Sequence, residues 1–560
     1  SVQDKYDRDG LPQVWDEVRR KVSDAQGSLP PGAGPSLVID DYGDVYGVFV
    51  AIYGNEYSYA EIKEVTDLLR RELTLVQDVA KIETYGERQE AVYVELSRDR
   101  ISQLGITPAS IADKLRQKNF VSDSGHVEVG PEFIVIQPSG GVDSVADLGD
   151  VLIGGGSTSQ IYLRDIGHVR RGYVEPQGTL IRYDGNAAIG LGISTVSGGN
   201  VVVMGEALQR RLDELQEQIP LGIEAGIVSM QSTSVVKAID GFVLSLVEAV
   251  VIVVVVLLIF MGLRSGLLIG FVLVQTILAT FLFLQPMGVA LERISLGALI
   301  IALGMLVDNA IVIVDGTLVK LQQGLDPEKA AKDTVAQSAI PLLGATIIAI
   351  LAFAAIGTSD DSTGEFCRSL YQVVLVSLLM SWVTAVTLTP LLCVMFLKVP
   401  EGGGETDPYG SRFYRSFKDL LRACIAWRWV SVSAVVSIFA LAVYGFGMID
   451  SSFFPPSTRP QFTVDVWLPA GTSIEETLKQ VEGIEDYLKA QPEVTHVSSL
   501  VGQGGLRFLL TYTPEKLNSA YAQLLVDVDD PEVLGELMPR IDAHLAETFP
   551  DALTYAARFQ

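Results

Sequence analysis

The chain has 560 residues, 49% of them hydrophobic and 19% charged, with a mean hydropathy of +0.34. That much charge excludes a protein lying wholly in lipid, so polar and apolar stretches must be segregated along the chain. The net charge of -26 and pI near 4.6 exclude a nucleic-acid surface, because phosphate binding needs basic groups.

The three cysteines, Cys367, Cys393 and Cys424, lie in or beside the apolar part at no metal-ligand spacing, which predicts soluble regions without disulfides. The histidines His126, His168, His496 and His544 are isolated in sequence and predict no metal site. No nucleophile and base pairing or phosphate loop occurs, so neither an enzyme nor a cofactor is expected.

Residues 1 to 238 read as soluble. A charged helical stretch, QVWDEVRRKV, is broken by SLPPGAGP, and VYGVFVAIYG then alternates toward a strand. YAEIKEVTDLLRREL has helical periodicity and is followed by strands at AKIETYG and EAVYVEL, a βαβ pattern. The helix PASIADKLRQKN precedes short strands at EFIVIQP and QIYLRDIGHV. RYDGNAAIGLGIST then leads through SGGN into the helix GEALQRRLDELQEQI. Short strands alternating with amphipathic helices predict small α+β sandwiches.

Six apolar segments follow, each near the roughly 20 residues that cross hydrocarbon. They run Gly241 to Met261, Leu267 to Leu284, Leu296 to Leu318, Ile340 to Ile356, Leu370 to Leu397 and Val430 to Met448. An even count returns both soluble parts to one side. The loops after the first, third and fifth segments hold Arg264, Lys320, Lys329, Lys332, Lys398, Arg412, Arg415, Lys418, Arg422 and Arg428, against Arg293 and Arg368 in the other two. The positive-inside rule therefore places the soluble parts outside the cytoplasm. In the long basic loop, SRFYRSFKDLLRACIAWRW reads either as a helix lying along the membrane surface or as a plain positive flank.

Asp308 stands in the middle of the third segment, LGALIIALGMLVDNAIVIVDGTL, followed at once by Asn309. A carboxylate at the centre of a span costs several kcal/mol on insertion scales, so its retention points to ion or proton traffic. Lipid disfavours the charged form, which suits a group that must load and release a proton. After the last segment, QFTVDVWLP, SIEETLKQVEGIEDYLKAQ, VTHVSSLVG, RFLLTYT, AYAQLLVDV and VLGELMPRIDAHLAETF predict a βαββαβ ferredoxin-like unit.

Several stretches, in this order along the chain, carry a specific resemblance: ITPASIADKLRQKN, LVEA, LVDNAIVIVDG, STGEFCRSL, TLTPLLCVMFLK, and SSFFPPSTRPQF with LPAGTSIEET. The chain resembles the resistance-nodulation-division (RND) superfamily, in particular its hydrophobe/amphiphile efflux permeases. The resemblance implies an α+β membrane protein with six transmembrane helices flanked by periplasmic ferredoxin-like porter subdomains and an inserted docking subdomain. It implies residues 1–38 as the end of a first porter subdomain, 39–90 and 173–235 as a second, and 91–172 as the docking subdomain. Residues 236–400 would be spans two to six, 401–428 a cytoplasmic surface-helix loop, 429–449 the seventh span, and 450–560 the first porter subdomain of the second half. A complete permease has two tandem halves, so the chain, lacking an initial methionine, is expected to be part of a longer protein.

The resemblance further implies drug:proton antiport by alternating access in the bacterial inner membrane. The expected partners are a homotrimer, a periplasmic membrane-fusion adaptor, a TolC-like outer-membrane channel, the lipid bilayer and small amphiphilic substrates. Asp308 takes the place of one member of the family's acidic pair, which is answered by a lysine in the second half. Asn309 replaces the other acid and cannot titrate, but it can hydrogen-bond and position the carboxylate. Asp315 lies two turns along nearly the same face, and Glu248 matches an acid near the periplasmic side; both are candidate relay groups. Tyr85 and Gln231 fall at or near positions lining the family's distal pocket, and Phe508 is the aromatic retained in a short version of its switch loop, GQGGLRF. Gly297, Gly304 and Ala310 are expected to allow close helix approach. Two other readings are heavy-metal export, as in the related metal branch, and a non-exporting relative such as a protein-translocation accessory.

Overall fold

The computed structural model describes residues 10–30, 32–36, 38–39, 43–118, 126–130, 132–135, 144–156, 159–359, 362–397, 412–448, 457 and 459–559. Lys398, the stretch 401–411 and the end of the EFIVIQP strand lie outside the described residues. The chain divides into two compact units, residues 1–43 with 233–455, and residues 44–232 with 456–560.

The first unit is helical. Among the described residues, six of its helices are long and apolar enough to cross a membrane. They are α1 (Gln231–Met261), α2 (Leu263–Leu284), α3 (Arg293–Gln322), α4 (Pro327–Gly357), α5 (Ser362–Phe396) and, after the amphipathic α6 (Arg412–Ala426), α7 (Arg428–Phe446). Most outrun their apolar segments, because polar flanks with good caps continue the helix beyond hydrocarbon length. At α4, for example, the Asp326 carboxylate accepts from the Glu328 N–H, and Pro327 opens the first turn where its missing N–H costs nothing. Gly262, at φ +79, supplies the left-handed residue that separates α1 from α2.

α5 packs along α2, α3 and α4. Its Val373, Val374 and Leu378 join Leu299, Ala302, Leu303, Leu306 and Ala310 of α3 in one buried cluster. The glycines that let helices approach differ from those expected. A Cβ on Gly297 or Gly304 would meet nothing within 4 Å, whereas one on Gly316 would stand 2.7 Å from the Thr334 methyl of α4. The small residues at 297 and 304 lie on the side of α3 that carries Asp308, away from the cluster, so helical phase sets their surroundings.

The second unit is built on a nine-stranded sheet. Its strands are β1 (Val48–Gly54), β2 (Val79–Tyr85), β3 (Leu180–Tyr183), β4 (Asn186–Thr195), β5 (Ile223–Met230), β6 (Gln461–Trp467), β7 (Val494–Val501), β8 (Tyr521–Val528) and β9 (Leu553–Arg558). The order is β5-β1-β4-β3-β7-β8-β6-β9, with β2 also paired to β4. Two βαββαβ motifs are visible in it, β5-β1-β4-β2 and β9-β6-β8-β7, each with its helices on one face. Period-two alternation sends Val48, Val50 and Ile52 to the helices Tyr59–Leu73 and Val201–Leu215, and Phe462, Val464 and Val466 to Ile474–Lys489 and Leu534–Thr548. Between β2 and β3 lie the paired strands Glu90–Leu96 and Gly167–Tyr173 and two short hairpins. RFLLTYT, expected as a strand, is irregular.

The motifs join where β3 pairs with β7, from Ser498 opposite Tyr183 to Val501 opposite Leu180. Arg182 clasps this junction: its Nε donates to Glu485 Oε2 at 3.1 Å and its Nη1 lies 3.0 Å from Glu482 Oε1. Glu485 is only 1% exposed. Removing one partner of a buried pair strands the other charge, so Arg182→Met should destabilise the unit by about 3–5 kcal/mol. Adding Glu485→Gln should recover most of that, read as thermal midpoints of the purified protein; equal loss in single and double variants would refute the pairing.

Candidate functional site

In the helical unit the sequence places two adjacent polar residues on α3, and the 100° step between neighbours sends them in different directions. Asn309 points inward and is 6% exposed. Its Nδ2 donates to Ser381 Oγ of α5 at 3.1 Å and lies 3.5 Å from Thr346 Oγ1 of α4. Both hydroxyls already give their protons to backbone carbonyls, Ser381 to Leu306 O and Thr346 to Leu342 O, each at 2.8 Å. They therefore present lone pairs to position 309, and an amide NH₂ matches them where an ionised carboxylate would not. A second buried pair, Thr276 Oγ1 and Thr384 Oγ1 at 2.8 Å, links α2 to α5.

Asp308 is exposed on α3, as is Asp315 seven residues on, and Glu248 is exposed on α1. The structure thus brings Asn309 together with α4 and α5, and leaves Asp308 and Asp315 along one outward stripe. Ser381, Thr346, Thr276 and Thr384 escaped sequence reading. Helical spacing places Ser381, Thr384 and Ser377 on one face of α5, and that polar stripe in an apolar helix was the available signal.

In the sheet unit, the face away from the helices carries the second candidate. Phe49, Tyr85, Ile181, Tyr183, Leu500 and Phe508 belong to one buried cluster there, with Tyr512 and Phe559. The cluster brings Tyr85 and Phe508 together. Gln231 lies elsewhere, at the start of α1, where its N–H donates to Gly47 O at 2.8 Å. The sheet curls, because Gln461 Nε2 reaches Val228 O at 2.9 Å and Arg459 Nη2 reaches Ser229 Oγ at 2.7 Å, although β6 and β5 are distant in strand order. The segment after Gly502 lies across this inner face: Tyr85 Oη donates to Gln503 O at 2.7 Å and Tyr46 N to Arg507 O at 2.8 Å. Gly192 leaves the space that Leu506 fills.

Polar groups border the aromatics. Asp465 is buried, accepting from the Tyr521 hydroxyl and, at 3.0 Å, from Gln523 Nε2. Burial raises its carboxyl pKa against those hydrogen bonds. Asp527 is pushed up to about 7, chiefly by burial, with Arg459 and His496 opposing. Sequence reasoning missed both acids. In QFTVDVWLP, Asp465 is out of phase with Phe462, Val464 and Val466, and that alternation was the signal.

Because the folded protein binds the Asp527 proton more tightly than the unfolded chain, stability falls as pH rises from the ordinary carboxylate range through about 7. Asp527→Asn should therefore raise the thermal midpoint near pH 8 and lose that advantage near pH 5, where the aspartate is already neutral in the fold. A pH-independent difference would exclude a buried, titrating Asp527.

The sequence model of the AcrB/AcrD/AcrF family matches residues 10–525. Multidrug resistance protein MdtF of Escherichia coli strain K12 is 24% identical over 516 residues, covering 88% of this chain and 49% of MdtF. The toluene efflux pump membrane transporter TtgE of Pseudomonas putida is 25% identical, covering 74% of this chain and 41% of its own length. The cobalt-zinc-cadmium resistance protein CzcA of Cupriavidus metallidurans is 23% identical, covering 92% and 50%. The chain spans about half the length of the curated relatives it matches. With the match running over most of its residues, the chain belongs to the AcrB/AcrD/AcrF family of RND permeases.

Proposed function

We propose that this chain serves a proton-driven inner-membrane permease that exports hydrophobic or amphiphilic compounds by alternating access. The observation that carries the reading is Asp308, a carboxylate in mid-span on the outward side of α3, beside an Asn309 tied to α4 and α5. A proton entering or leaving Asp308 changes the charge on one face of α3, and Asn309 transmits movement of that helix to its neighbours. Asp315 and Glu248 extend the relay toward either end. Tyr85 and Phe508 contribute to the substrate surface, while Gln231, at the start of α1, stands apart from their cluster. The names of MdtF and TtgE support organic substrates. In this reading the sheet unit supplies porter subdomains in the periplasm. The permease works as a homotrimer, with a periplasmic adaptor protein and a TolC-like outer-membrane channel.

In the full-length protein, Asp308→Asn should reduce dye and detergent efflux to the level of the pump-deficient host while folding and assembly persist. Wild-type resistance in that variant would sink the relay assignment. Exchanging the two residues, Asp308→Asn with Asn309→Asp, should not restore export, because position 309 faces the α4 and α5 hydroxyls; recovered transport would show that the two positions are interchangeable. A second reading, metal-cation export, is favoured by the 92% coverage of this chain in the CzcA match. Copper and zinc salts tested beside the dyes decide between them, since a change in metal tolerance with unchanged dye resistance supports the second.

A further inference from the structure

α2 and α5 pack along each other, and where α2 begins and α5 ends they leave a groove of about 630 Å³ between them. Helical spacing builds its α2 wall: Arg264, Leu267, Leu268 and Phe271 recur at i, i+3, i+4 and i+7 and so share one face. Leu392 and Phe396, one turn apart, form the α5 wall. Leu268 closes the floor at 6% exposure, while Phe271 and Phe396 stand open at 57% and 58%. The groove therefore opens outward from the helices, toward the surrounding lipid.

Charge enters this groove at one end. Among the described residues that line it, Arg264 alone is charged, and it stands in the first turn of α2. Seven residues of helix, about 10 Å, separate it from Phe271, so the trough runs from a cation at the polar end to apolar side chains about two turns into the span. Among the described residues the guanidinium has no ion pair and no hydrogen bond, and no acid shares its turn. The excess of basic residues assigns this end of the spans to the cytoplasmic side, where membrane surfaces carry anionic lipid.

We propose that the groove holds one anionic phospholipid of the cytoplasmic leaflet, with its phosphate on the Arg264 guanidinium and an acyl chain along Leu268, Phe271 and Phe396. A guanidinium forms paired hydrogen bonds to phosphate oxygens, so the lipid answers a charge that the described protein leaves unanswered. A phospholipid is laid out as the groove is, with charge at the interface and hydrocarbon inward. Beyond Arg264 the lining side chains offer no hydrogen bond, which suits an acyl chain. A zwitterionic lipid fits the same trough, but its ammonium group brings a second positive charge near Arg264, so the anionic headgroup is preferred. The site shares no residue with the Asp308 relay, and it does not depend on which compounds are exported.

Native mass spectrometry of the purified full-length protein, with phosphatidylglycerol and phosphatidylcholine of identical chains added to the detergent, counts the lipid retained. Phosphatidylglycerol should be held about fivefold more tightly than phosphatidylcholine. Arg264→Gln should remove most of that preference, and Arg264→Lys, which keeps the charge, should retain most of it. Arg293→Gln, which removes an exposed basic residue at the opposite end of the spans, should leave it unchanged. Phe271→Ala combined with Phe396→Ala should weaken retention of both lipids and preserve their ratio. Excess inorganic phosphate should displace neither. Equal retention of the two lipids by the wild type, as when another segment of the full-length chain fills the groove, overturns the proposal. So does an equal effect of Arg264→Gln and Arg293→Gln, which marks general surface charge, or loss of the preference in Arg264→Lys. Displacement by phosphate alone, or by an exported dye, overturns it as well, since the occupant is then a free anion or a transported substrate.

Discussion

The sheet unit depends on the pairing of β3 with β7. β3 is a short strand whose other edge pairs with the start of β4, so one strand carries the register of both βαββαβ motifs. With that register fixed, Tyr183 and His496 stack with centroids 5.5 Å apart, and Asp184 Oδ1 accepts from Val497 N at 2.9 Å. A slip by one residue would turn Tyr183 toward the helices and Arg182 toward the aromatics. The inner face, with its rings and acids, exists because this pairing holds.

Glycine gives that face its depth. A Cβ on Gly226 would stand 2.5 Å from the Tyr183 ring, and one on Gly190 would stand 2.7 Å from Phe49. Rings lie flat where these strands carry no side chain, and the segment after Gly502 settles over them. The helical unit meets a related demand in lipid, where each polar group must find its partner inside the protein. Its hydroxyls bond to backbone carbonyls, Thr346 within α4 and Ser381 across to α3, and offer lone pairs sideways, so Asn309 can cross-link three helices with one amide.

Much of this was legible in the sequence, because length and hydropathy locate spans whatever surrounds them. All six apolar segments became helices, and the alternation of QFTVDVWLP and AYAQLLVDV gave strands at their positions. RFLLTYT misled for a physical reason. Its apolar density suggested a strand, but the Phe508 and Tyr512 rings stand with centroids 4.9 Å apart, much closer than the about 13 Å that four extended residues span, and Gly502 at φ +88 bends the chain out of the ladder. Periodicity also ranked the faces of α3 without deciding which one meets α5, since Gly297, Gly304 and Ala310 look alike in sequence. The acids of the inner face were readable only through their phase within apolar strands.

The direction of the hydrogen bonds around Asn309 constrains which residues that position can host over evolutionary time. Because Ser381 and Thr346 are both committed donors to backbone carbonyls, Ser381 to Leu306 of α3 and Thr346 to Leu342 of α4, a lone change to aspartate arrives in a pocket that has no spare proton to offer it. Such a change becomes tolerable if the aspartate carries its own proton, or after a hydroxyl on α4 or α5 has released its carbonyl. The route from a one-acid to a two-acid span therefore passes through α4 and α5 first, and a relative that carries the second acid should be expected to differ there too.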